Sequence, residues 1–326
     1  MRRFSFGLAL TALPAFLLSL MLAGCGSSTD TGKSSSSASG GGGEVAKETS
    51  SGPAKVLEPK GGVLKGKVTL LSKPDLEGLT KSLQKAIADK ADQKDFCMSG
   101  SPSEITEQLY RIGDNGNLGN VFVWIRPAQG TFFKVDEKQL EAVKKEPVKI
   151  RQPHCAFIPH AAIAWVEYAA DPKNPRKLTP TGQHVEIIND ATKSHNTNYS
   201  AGPKNPSGNP IIEPNAKPIK VEGLKADTSP MTLKCNIHPW MDANVRLVDT
   251  PYYSITHSDT LDGKDKVEAK DPKFGTYEIK DLPVGKVRVI AWHEKCGYLN
   301  KGGGQGEEIE ITEGKPTELN FEAKPQ

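Results

Sequence analysis

The stretch Cys235-Asn236-Ile237-His238-Pro239-Trp240-Met241 places a thiol, an imidazole and a thioether at positions i, i+3 and i+6. A loop this tight can wrap all three donors around one ion. Thiolate and thioether suit Cu(I), imidazole suits both copper oxidation states, and a trigonal His2Cys set with a long axial methionine is a recurrent way of holding copper. Such a set needs a second imidazole from elsewhere. His195 supplies it, in Asn189-Asp190-Ala191-Thr192-Lys193-Ser194-His195-Asn196, directly after a strand-like run that ends at Ile188. Each residue alone has an ordinary reading: Met241 as core, His195 as a polar loop residue, and Cys235 as half of a disulfide with Cys296. Their weight lies in the combination.

Outward from this stretch, the compartment matters first, because it decides how the five cysteines are read. Arg2 and Arg3 precede an apolar run from Phe4 to Leu22, then small residues ending at Cys25, the pattern of an export signal over residues 1–25. Leu22-Ala23-Gly24-Cys25 resembles the lipobox of bacterial lipoproteins, which implies lipidation of Cys25 and attachment to a membrane through that lipid. Export places Cys97, Cys155, Cys235 and Cys296 in an oxidising compartment. They could form two disulfides in three connectivities, or one disulfide plus a metal ligand and a spare thiol.

Residues 26–60 are rich in serine and glycine and read as a disordered tether. From Gly61 the pattern changes. Val63 to Leu70 alternates like a half-buried strand, Leu76, Leu79, Leu83 and Ile87 recur at helical spacing, and Val121-Phe122-Val123-Trp124-Ile125 reads as a central strand. A second short helix is expected within 134–145, all inside a β-rich segment 61–147. Residues 148–250 combine strand-like runs with polar Pro/Asn/Gly loops and hold His154, His160, His184, His195 and His238, five of the seven histidines. Residues 251–326 alternate cleanly through Tyr277, Val287, Ile309 and Phe321, as a small antiparallel sandwich does. With 24 prolines and 31 glycines the chain favours short strands and turns, so the expected class is mainly β with one or two short helices.

The pair Asn189…His195-Asn196 with Cys235-x2-His238-x2-Met241 resembles the cupredoxin family, and the short loop from cysteine to methionine is similar to that of amicyanin- and plastocyanin-like members. Phe157-x-Pro159 and Gly182-x-x-Val185 fit the early strands of that family. The resemblance spans 148–250 and implies a Greek-key sandwich with one type 1 copper ion on His195, Cys235, His238 and Met241, braced by Asn196. It also implies one-electron exchange with a redox protein, such as a c-type cytochrome or another copper protein, docking at an apolar rim formed by Pro239 and Trp240. Cys97 and Cys155 are then the remaining disulfide pair. The segment 275–286 resembles the late hairpin of carboxypeptidase-regulatory-like modules, and the strand near residue 65 resembles their first strand, so the copper-binding stretch is expected either to precede that sandwich or to be inserted into it.

A net charge of +3 over 326 residues gives no reason to expect nucleic acid as a partner. No Ser/His/Asp pattern, nucleophile elbow or phosphate-cradling glycine loop occurs, and a copper held by four protein donors has no open position for substrate, so the chain reads as a non-enzyme. The competing readings are a copper carrier or store, and a metal-free sandwich that binds carbohydrate or an envelope protein through exposed aromatics at Tyr252, Tyr253 and Trp292. His293 and Cys296 have no assigned role.

Overall fold

A computed structural model describes residues 53–326. Cys25, the export signal and most of the expected tether lie outside the described residues. The tether ends sooner than its composition suggests, because Lys55–Leu57 is already a strand, paired in parallel with Thr131–Phe133, and the next strand begins at Pro59. The protein is mainly β, with three α-helices among the described residues: α1 (Leu76–Ala88), α2 (Lys94–Met98) and α3 (Glu137–Lys145). Asp75 and Asp136 cap α1 and α3 by accepting from the amides of Gly78 and Lys138. No helix among the described residues is long and apolar enough to cross a membrane.

The strands stack as four layers. The first layer joins Thr276–Pro283, Pro59–Leu70 and Thr317–Glu318, with Phe321–Ala323 also on Pro59–Leu70. The second joins Tyr253–Ile255, Phe122–Pro127, Gly285–His293 and Gly297–Tyr298, with Glu307–Ile311 also on Gly285–His293. The third runs Asn198–Ser200, Met231–Lys234, Asp242–Val248, Ala161–Trp165, and the fourth Ile219–Val221, Val185–Asn189, Val148–Gln152. Because successive side chains alternate between faces, a strand covered on both sides must be apolar at every position. Phe122 and Trp124 face the third layer while Val123 and Ile125 face the first, which explains the unbroken apolar run there. Ala161–Trp165 behaves alike: Ile163 and Trp165 pack towards the second layer, and Ala162 and Ala164 towards Ile150, Val185 and Ile187 of the fourth.

The strands of 251–326 do not close a sandwich among themselves. Thr276–Pro283 pairs antiparallel with Pro59–Leu70, and Gly285–His293 pairs antiparallel with Phe122–Pro127. Both ends of the described chain therefore build layers one and two, and residues 148–250 build layers three and four. Val68 and Val287 lie on facing sheets and share one core. Arg246 of the third layer ties the two sandwiches together. It is fully buried, its guanidinium lies 4.6 Å from the Trp124 ring and 4.9 Å from the Trp292 ring, and it donates to the Thr228 carbonyl at 2.7 Å. Tyr252 is buried and Trp292 is engaged by Arg246 and Phe122, so the exposed aromatic face expected at Tyr252, Tyr253 and Trp292 is not present.

Cys97, in α2, is bonded to Cys155, in the link between the third and fourth layers, across a sequence separation of 58. In the chain-entropy model, closing a loop of that length stabilises the fold by about 4 kcal/mol. Cys235 and Cys296 are both free and buried in different cores, so the rival pairing of Cys235 with Cys296 is not formed.

Candidate metal centre

Two backbone devices deliver the donors. Asn189, at the end of its strand, folds the following loop with its own amide: Oδ1 accepts from the Ala191 amide at 2.9 Å, and Nδ2 donates to the carbonyls of Lys193 at 2.9 Å and Ile212 at 2.7 Å. The loop then enters the short strand His195–Asn196, which pairs with Ile211–Ile212 and turns His195 inward. The second device is the turn after Met231–Lys234. The Cys235 amide donates to the Met241 carbonyl at 3.2 Å and the Met241 amide to the His238 carbonyl at 2.9 Å, so the loop closes on itself before Asp242–Val248 begins.

Between these devices, His195, Cys235 and His238 bring their donor atoms within 4.8 Å of one another, all buried. The Cys235 sulfur lies 3.9 Å from His195 Nδ1 and 3.7 Å from His238 Nδ1, and the two Nδ1 atoms are 3.0 Å apart. Metal bonds of about 2.0 Å to imidazole and about 2.3 Å to thiolate, spread at about 120°, separate nitrogen from sulfur by roughly 3.7 Å. The donor spacing fits one small first-row ion. Met241 is buried in the same core as Cys235.

Electrostatics keep both imidazoles neutral. Burial pulls His195 down to about 4, with His238 adding to the effect. Burial pulls His238 to about 4 as well, reinforced by Lys90 and opposed by Asp92. Neutral imidazole is the form that binds metal. The second nitrogen of each ring is treated differently. His195 Nε2 is buried with no partner, whereas His238 Nε2 donates to Gln93 Oε1 at 2.6 Å, which leaves His238 Nδ1 as the lone-pair atom facing Cys235.

Asn196 Oδ1 accepts from the amides of Asn236 at 2.8 Å and Ile237 at 3.1 Å and lies 3.4 Å from the Cys235 sulfur, while its Nδ2 donates to Asn209 at 2.5 Å. It thus ties the loop carrying His195 to the loop carrying Cys235. Pro239 is exposed and Trp240 half-buried, but His238, which precedes them, has no exposed surface, so the expected rim does not present the histidine itself. Trp240 packs against the His238 ring at 5.3 Å, donates to the Cys155 carbonyl at 3.1 Å, and walls a cavity of about 270 Å³ together with Leu83, Glu107, Cys155 and Pro239.

Gln93 escaped the sequence reading. It lies 145 positions from His238, beyond the leucine-spaced helix, where no period is readable, and no local feature marks a glutamine as a histidine's partner. The other missed cluster lies where layers two and three meet. His160 Nε2 is 2.5 Å from Glu294; His160 is buried and the Glu294 side chain largely so. Burial lowers the His160 pKa, but the Glu294 charge and hydrogen bond outweigh it and raise it to about 9. His293 beside them is buried, lowered to about 4 by that burial, and accepts from the Lys295 amide at 3.2 Å through Nδ1.

No protein-family model matches the chain, and no curated protein does. Among solved structures, a copper-containing nitrite reductase from Thermus scotoductus SA-01 aligns at 15% identity and TM-score 0.25, over 32% of this chain and 23% of that one. A purple cupredoxin from Nitrosopumilus maritimus aligns at 14% identity and TM-score 0.21, over 31% of this chain and 99% of that one.

Proposed function

We propose that this chain is a type 1 copper protein of the bacterial envelope, anchored through lipid on Cys25, that passes single electrons between redox partners and catalyses no reaction of its own. The observation that carries the reading is the convergence of two neutral imidazoles and one free thiol at metal-bonding separations in a buried pocket. His195, Cys235, His238 and Met241 would hold the ion, which when bound supplies a one-electron Cu(I)/Cu(II) couple. The chain's own contribution is to fix the donors before the metal arrives. Asn196 clamps the two ligand loops, Gln93 sets the proton on the outer nitrogen of His238, and the surrounding apolar core excludes water. Pro239 and Trp240 are the proposed contact for a partner such as a c-type cytochrome.

The cover over His238 favours a second reading, a copper store without redox traffic, since electron exchange between proteins is fastest where a ligand edge meets the surface. The first test is the visible absorption and electron-spin spectrum of the full chain loaded with Cu(II), beside Cys235→Ser. An intense thiolate-to-copper band in the parent and its loss in the variant are expected; a colourless parent overturns the reading. Rapid oxidation of the reduced protein by a soluble c-type cytochrome would then separate carrier from store.

A further inference from the structure

All four proposed ligands come from residues 148–250, yet the group that touches His238 from outside does not. Gln93 stands at the N-cap of α2, where its side chain makes no capping bond and instead aims its oxygen at His238 Nε2. The amide is oriented, because Gln93 Nε2 donates to Asp92 at 3.3 Å and so turns Oε1 towards the imidazole. A helix of five residues cannot hold such a group by itself. What holds α2 is Cys97, fully buried and bonded to Cys155, with its own amide donating to the Gln93 carbonyl at 2.9 Å. Both sulfurs of that bridge lie within 4.8 Å of a His238 ring nitrogen. On the far side of Cys155, its carbonyl accepts from Trp240, whose ring meets the His238 ring edge-on. The bridge, the glutamine and the tryptophan thus enclose one imidazole.

We infer that Gln93 is a positioning residue of the copper centre and that the Cys97–Cys155 bridge serves to fasten it there, so that a segment outside the copper-binding sandwich sets how tightly the metal is held. The inference rests on the copper reading above. Through its oxygen, Gln93 keeps the His238 proton on Nε2, holds the ring plane, and raises the donor strength of Nδ1. Partners of this kind change metal affinity about 10–100-fold when removed. Because the bridge acts through Gln93, losing both should weaken binding no more than losing either one, the non-additivity expected of residues that work as a unit.

The test uses the full chain and four variants: Gln93→Leu, Gln93→Glu, Cys97→Ser with Cys155→Ser, and that pair combined with Gln93→Leu. Copper affinity is measured by competition with a chelator of known strength, alongside the reduction potential and the thiolate-to-copper band. Gln93→Leu is expected to lose 10–100-fold in affinity and to shift the potential while the band persists, and Gln93→Glu, which keeps an oxygen acceptor, to recover most of the loss. The serine pair should match Gln93→Leu, and the combined variant should fall no further. Unchanged affinity and potential in Gln93→Leu would overturn the inference alone, as would losses that multiply in the combined variant. A colourless parent would overturn this inference together with the copper reading.

Discussion

Two pockets of the molecule hold buried histidines in opposite electrical settings. His195 and His238 face each other beside a thiol, with no carboxylate in contact, and both are pushed down to about 4. His160 sits against Glu294 and is pushed up to about 9. Burial alone leaves an imidazole neutral, with a lone pair to offer; burial against a carboxylate makes it a cation with nothing to offer a metal. One pocket therefore offers neutral donor atoms, and the other has already made its ion pair from within.

The largest expected effect comes from breaking the internal pair. Glu294→Leu leaves His160 with only the more distant Asp242 carboxylate, 4.0 Å away, as counter-charge, and also removes the acceptor for Asn244 Nδ2 at 3.2 Å. Removing one partner of a buried pair typically destabilises by about 3–5 kcal/mol, whereas replacing both by apolar residues is often close to neutral. Chemical denaturation should show the single variant far below the parent and His160→Leu with Glu294→Leu recovering most of the difference. Equal losses in the two would mean that packing, not charge, joins layers two and three.

The metal pocket should respond to an added ion instead. Copper that binds only the folded chain stabilises it by about 2.7 kcal/mol when free metal is a hundredfold above its dissociation constant. A rise in denaturation midpoint with copper is expected in the parent and in the His160/Glu294 double variant, and its absence in Cys235→Ser. A rise that survives Cys235→Ser would place the binding elsewhere.

Acidity separates the pockets by sign. The His160 pKa is higher in the folded chain than in the unfolded one, so its contribution is fully present below about 6.5 and is lost as pH rises through about 9. The Glu294 pKa is depressed: burial raises it, and His160 outweighs that effect, so its contribution is present above the ordinary carboxylate range and fades as pH falls. Stability should thus decline between pH 6.5 and 9, more steeply in the parent than in the His160/Glu294 double variant. A decline of equal slope in both would remove His160 as its source.

These contrasts were unevenly legible in the sequence. The candidate cluster was readable because Cys235 and His238 lie three positions apart in one loop, and His195 with Asn196 follows a strand ending at Asn189. Helix α1 was readable from its leucine spacing, and the Phe122–Pro127 strand from its apolar run, although that run could not reveal that two cores cover it. The ion pair was invisible, since His160 and Glu294 stand 134 positions apart and each is unremarkable among its neighbours. Gln93 was hidden for the same reason, and α2 because five residues carry no period. Function written into one loop can be read locally; function assembled by topology cannot.

The smallest expected effect belongs to His293, which tests whether neutrality alone makes an imidazole a ligand. It is as buried as His195, is lowered to the same range, and likewise has an unpartnered Nε2. It even has a cysteine nearby in sequence, but burial, aided by Glu294, pushes the Cys296 thiol up to about 11, so it stays protonated. Among the described residues, neither group of clustered donor atoms includes His293 or Cys296. His293→Leu removes a buried nitrogen with no partner and gives up one acceptor, two changes that offset to within about 1 kcal/mol. Its copper spectrum and affinity should equal the parent's, in contrast to His195→Leu, which should lose the thiolate-to-copper band. A weakened band in His293→Leu would mean that His293 serves the same site as His195 and His238, and would break the division between a pocket that offers neutral donors and one that has its own ion pair.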